Sequence, residues 1–188
     1  MNCSSSYTTQ NELLLNNLME FYKKDENLSR MLKIITGDSK ISLRIVDWFA
    51  TNFAKKNYTL YTITDTNNCN IRFKVYFDYK LKLKAYSKKR FDPFCRWDRI
   101  SIPYKNGTFI ETTIGQLNFF KWAIENKVID YIEENYETIE NDMNNRNSTS
   151  KKKEIDVNTK TRKKREELSV SATKSIKKEE VEIIVQFN

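Results

Sequence analysis

Histidine is absent from this 188-residue chain, and cysteine, glycine and proline are scarce, at three, three and two residues. Each scarcity removes a class of chemistry. Cys3, Cys69 and Cys95 lie too far apart for paired-thiolate ligation, and without histidine a mixed Cys/His site is unavailable, so no metal is expected. There is no Gly-rich phosphate loop and no nucleotide-binding fingerprint, so no cofactor is expected either. No hydrophobic run approaches membrane-spanning length, which argues against a membrane partner. The odd cysteine count and the lack of a secretory hydrophobic region in Met1 to Gln10 point to a reducing interior compartment.

The chain does have core-forming material and charge. Its 39% hydrophobic and 13% aromatic content can fill the core of one ordinary domain with an appendage. The net charge of +8 is unevenly spread, with +5 of it in residues 144–188. Residues 79–99 carry eight basic and two acidic side chains, whereas 113–143 carry two basic and seven acidic ones. Such polarity favours an anionic partner on one face.

Residues 1–9 are polar and read as a loose N-terminus. Leu14, Leu18 and Phe21 fall at helical spacing behind Thr9, a capping residue, and predict a helix over 10–24. A second helix over 28–36 stops at Gly37, well placed as a C-terminal cap. A third, over 42–56, gathers Ile45, Trp48, Phe49 and Phe53 on one broad apolar face, the pattern of a core helix. After Asn57 the period becomes alternating. Residues 58–64 and 70–77 read as a hairpin, with Phe73, Val75 and Phe77 on a buried face and Arg72, Lys74 and Tyr76 on a wet, partly basic one.

The stretch from Lys80 to Arg99 packs eight basic residues and four aromatics around Asp92-Pro93. Alternation of Lys80, Lys82 and Lys84 with Leu81, Leu83 and Ala85 predicts a strand continuing the hairpin, its lysines on one face. Lysine, leucine and alanine are also good helix formers, and in a helix the same lysines splay over an arc. Asp92-Pro93 is read as a turn that fixes Phe91 and Phe94 on either side. Residues 99–103 and 108–113 form a second hairpin around Lys105-Asn106-Gly107. Thr113 and Gln116 have capping-box spacing before a helix ending near Asn126, and a last helix over 128–143 turns Ile129, Ile132, Tyr136 and Ile139 inward. Glu133, Glu134, Glu137 and Glu140 form its solvated face. The reading is an α+β fold: helices flanking a small, mostly antiparallel sheet in a globular domain over 10–143. A polar basic linker follows over 144–161, and a basic tail over 162–188 holds a helix and a terminal strand. That strand, Val181 to Phe187, needs a sheet edge in this domain or in a partner.

Four segments carry a resemblance: SLRIVDWFATNFAKKN, KAYSKKRFDPFCRWDRI, TTIGQLNFFKWAIENKVIDYI and RKKREELSVSATKSIKK. In this order they resemble an uncharacterised protein group of the nucleocytoplasmic large DNA viruses, the giant viruses. The resemblance implies a viral origin and a place in the host cytoplasm, at the virus factory, in the nucleus, or in the virion. It brings no catalytic residues with it.

A basic segment interleaved with aromatics offers charge to a phosphate backbone and flat faces to bases. The expected function is therefore viral nucleic-acid binding, with DNA favoured over RNA, through Lys80, Lys82, Lys84, Lys88, Lys89, Arg90, Arg96 and Arg99 on phosphates. Tyr86, Phe91 and Trp97 are the stacking candidates, and residues 151–165, with Lys151 to Lys153 and Arg162, Lys163, Lys164 and Arg165, an auxiliary arm whose basic residues also resemble a nuclear import signal. No enzymatic activity is expected. Cys95 has basic neighbours but no histidine to serve as its base, and Asp92, Asp98, Glu111 and Lys105 match no phosphate-cleaving spacing. The alternative is a virion structural or adaptor protein that binds other viral proteins by adding the strand Val181 to Phe187 to a neighbour.

Overall fold

Helix α1 (Gln10–Tyr22) opens as its sequence dictates: Thr9 Oγ1 accepts from the Glu12 amide at 3.3 Å, and Glu12 Oε2 accepts from the Thr9 amide at 2.8 Å. This reciprocal pair satisfies two donors that would otherwise face water unpaired. Helix α2 (Asp25–Thr36) ends where Gly37 takes the left-handed conformation, φ 84°. The computed structural model describes residues 9–64, 68–96, 99–104, 108–153 and 178–179.

The third helix is less regular than its apolar stripe predicts. It runs as α3 (Leu43–Trp48), a π-helical turn (Phe49–Phe53) and a short α4 (Ala54–Lys56). The wider turn leaves Phe49 and Phe53 buried together, ring centroids 5.8 Å apart, while Trp48 turns its indole N–H to Asp142 Oδ2 at 3.2 Å. Strands β1 (Leu60–Thr64) and β2 (Asn70–Lys74) pair antiparallel, Leu60 opposite Lys74 and Thr62 opposite Arg72.

Here the structure corrects the alternating reading twice. Strand β2 stops at Lys74, and residues 75–90 form helix α5 (Val75–Arg90) rather than a continuation of the hairpin. The Lys-Leu alternation is overridden by a stripe of Val75, Tyr79, Leu83 and Tyr86, which meets the core at helical spacing, and by the high helix propensity of lysine, leucine and alanine. Phe77, expected inside a strand, is accordingly 60% exposed.

Beyond α5, β3 (Arg99–Pro103) and β4 (Phe109–Thr113) pair antiparallel, and β4 runs directly into α6 (Ile114–Glu125). The two hairpins form separate sheets, because the chain between them is helical. Lys105, Asn106 and Gly107 lie outside the described residues. Helices α7 (Val128–Glu134) and α8 (Tyr136–Lys153) follow, with Ile129, Ile132 and Ile139 buried as expected. α8 extends through Lys153, so the first ten residues of the expected linker are helical. A two-residue strand, β5 (Lys178–Glu179), pairs with Phe109 and Ile110 of β4. The tail helix and the strand Val181 to Phe187 fall outside the described residues.

The architecture is α+β, with α6 at its centre. Leu117, Phe119 and Phe120 on this helix are fully buried, and α1, α2, α5 and α7 all pack against it.

Candidate nucleic-acid interface

The basic residues of α5 are sorted by the helix geometry. Lys80 and Lys84, at i and i+4, share the solvent side, and Lys88 and Lys89 are exposed just beyond a kink. Lys82 is half-buried on the other side, beside Leu14, Asn17 and Tyr86. The lysines thus splay, as a helix requires, and two of the three share one face. The kink lies at Ser87, φ 62° and ψ 167°, a backbone region that glycine alone enters without strain. It turns the chain so that Lys88 and Lys89 stay outside while Phe91 enters the core. Arg90 is half-buried and donates to Gln10 Oε1 at 3.4 Å.

The stacking candidates fare differently. Phe91 is fully buried, its ring centroid 5.8 Å from those of Tyr79, Phe119 and Trp122, so it is a core residue and offers no face to a base. Tyr86 is half-buried and lies over Phe91, centroids 6.1 Å apart and planes 23° apart. Arg96 is exposed, whereas Arg99 is paired across its hairpin with Glu111 at 3.0 Å. Trp97, Arg162, Lys163, Lys164 and Arg165 lie outside the described residues.

The fold adds residues that the sequence reading left out of the site. Arg72 and Lys74 point outward from β2, and Lys55 is exposed on α4. Among the described residues, Lys55, Arg72, Lys74, Lys80, Lys84 and Lys88 form no ion pair. The accessible aromatics next to them are Tyr58, 79% exposed, and Phe77. From residue 68 to 91 there are eight basic side chains and one acid, Asp78. That acid is turned inward, accepting the Trp122 indole N–H at 2.6 Å.

This face is held by α6. Asn118 donates to the Arg90 carbonyl at 2.8 Å, and the Gln116 amide donates to the Pro93 carbonyl at 3.3 Å. Gly115 lets the helix approach closely, since a Cβ there would stand 2.9 Å from the Lys89 oxygen. Asp92 closes the expected turn: its Oδ1 accepts from the Phe94 amide at 2.8 Å and its carbonyl from the Cys95 amide at 3.1 Å. The basic segment is thus pinned at its end, not left as a loose loop.

Acidic charge gathers elsewhere. Glu133, Glu134 and Glu137 are exposed on α7 and α8, helices that pack chiefly on α3, the π-helical turn and α6. Under the basic face, burial and the nearby charge of Asp92 push the Asp47 carboxyl up to about 6. Burial, with Asp47 and Asp92 nearby, also raises the Tyr79 phenol. For Asp47 the folded state holds its proton more tightly than the unfolded one, so the associated stability is complete below about pH 4 and is lost as pH rises through about 6. Asp47→Asn is expected to match the parent at pH 4 and to exceed it by about 2–3 kcal/mol at pH 7.5. Urea unfolding at the two pH values measures this, and equal stability at both would refute it.

Among the described residues no cluster of metal-ligating side chains occurs, and no helix is long and apolar enough to cross a membrane. The profile of a family described as "Family of unknown function (DUF7197)" matches residues 2–187. An uncharacterised protein of Acanthamoeba polyphaga mimivirus is 43% identical over 157 residues, 80% of this chain. The chain spans 60% of the length of that curated relative. The resemblance to a giant-virus protein group is borne out by both findings. No solved structure matches the chain.

Proposed function

The chain belongs to the DUF7197 family, a family of unknown function, and from that premise we propose that it is a viral nucleic-acid-binding protein without enzymatic activity. It contacts phosphates through the outer face of α5 and the adjoining hairpin. One observation carries this reading: six basic side chains around α5, free of ion pairs among the described residues, surround exposed aromatic rings, and Asp78, the one acid between residues 68 and 91, is turned inward. Unneutralised lysines in such an arrangement gain from counterion release on a polyanion, and most of that gain is independent of sequence. The anchoring of the segment by Gln116 and Asn118 means that little of it is ordered anew on binding. Arg162 to Arg165 serve as the auxiliary arm, and the host cytoplasm or nucleus is where such a ligand is met.

Anisotropy of labelled single-stranded and duplex DNA and RNA at about 50 mM salt tests the reading. Binding with little sequence preference, and DNA over RNA, is the expected result. Absence of binding to all four would overturn it and leave an adaptor between viral proteins as the better account.

A further inference from the structure

Three of the large apolar side chains that the fold leaves exposed come together in one place. Tyr58, Leu60 and Phe77, 79%, 54% and 60% exposed, line one cleft of about 400 Å³ where α4, β1, β2 and α5 meet. Tyr76 also lines it, with Lys55 Nζ 5.6 Å from the ring centroid, and so does Lys74. No acidic side chain lines it. The cleft lies on the edge of the basic face, because Phe77 precedes Lys80 and Leu81 on the solvent side of α5 by one turn. Tyr58 itself is held at φ 47°, a left-handed conformation costly for a bulky side chain. This turn ends α4, the Thr59 amide donating to the Ala54 carbonyl at 3.1 Å, and it leaves the Tyr58 ring exposed.

We propose that this cleft receives an unstacked nucleobase of a single strand, between the rings of Tyr58 and Phe77, with Lys55 and Lys74 on the flanking phosphates. The proposal rests on the nucleic-acid reading above and narrows it to single strands, since a base inside a duplex cannot leave its stack without losing its partner. Size and lining fit a small planar group. A second copy of the chain is a poor occupant, because a symmetric contact would set the lysines of one subunit against those of the other. A bilayer is the competing occupant, and vesicles in the experiment below test it.

The experiment compares a labelled single strand, its duplex and an abasic strand of equal length, using the parent chain, Phe77→Ala and Tyr58→Gly. The parent is expected to bind the intact strand at least about ten-fold more tightly than the abasic one. Both variants should close that gap, and Tyr58→Gly should melt no lower than the parent, because glycine relieves the backbone while removing the ring. A gap that survives in both variants overturns the proposal. Equal, salt-dependent binding of all three ligands by the parent overturns it as well, but leaves the phosphate-binding reading intact. If the parent binds none of them, or binds phosphatidylserine vesicles instead, both readings fall.

Discussion

Phe91→Ala is expected to lower the unfolding free energy by about 3–5 kcal/mol, the range for emptying an aromatic position in a packed core. Phe91 is one of the largest fully buried side chains, and four rings, Tyr79, Tyr86, Phe119 and Trp122, lie within 6.1 Å of its centroid. Those neighbours come from α5 and α6, two elements whose own hydrogen bonds limit how far they can collapse into the space left behind. The same cluster anchors the end of the basic segment, so the loss should spread to Lys88 and Lys89. Urea denaturation gives the number directly. A variant of unchanged stability would place the ring at the surface and restore it as a stacking residue.

Lys80→Glu, Lys84→Glu and Lys88→Glu combined are expected to weaken single-strand binding at least about a hundred-fold at low salt, and to flatten its salt dependence by about two to three contacts. The three side chains are exposed and form no ion pair among the described residues, so nothing in the core is disturbed. Lys80 and Lys84 stand at i, i+4 on α5, where like charges repel by a few tenths of a kcal/mol, and reversing both keeps that balance nearly unchanged, while Lys88 lies exposed past the kink at Ser87. The melting temperature should therefore stay within a degree or two of the parent. A large fall in melting temperature would make the lysines structural, and unchanged affinity would move the interface elsewhere.

These two substitutions mark where the sequence was legible and where it was not. Caps and turns were readable because their chemistry is local: Thr9 with Glu12, Gly37 in the left-handed region, and Asp92-Pro93 each act within a few residues. The α+β class followed from where the period changed. Lys80 to Lys84 was ambiguous because a strict alternation and a helical stripe coexisted there, and only the packing of Tyr79 and Leu83 against the core decides between them. Phe91 could not be separated from an exposed aromatic for the same reason. Burial depends on Phe119 and Trp122, which lie some thirty residues further on. The missed site residues follow from this error. With residues 75–77 read as strand, Phe77 points inward, and Tyr58 and Lys55 have no cleft to line. Only the outward Arg72 and Lys74 were visible in advance, as the wet side of the hairpin.

The most direct test of the central claim is the salt dependence of binding to a labelled single-stranded DNA. Each lysine or arginine that neutralises a phosphate contributes about 0.7 to the slope of log K against log salt on single strands. Arg72, Lys74, Lys80, Lys84 and Lys88 acting together give a slope of about −3 to −4. That result, with the slope reduced in the triple reversal, is what the basic face of α5 predicts. A flat dependence, or no binding even at low salt, would contradict it.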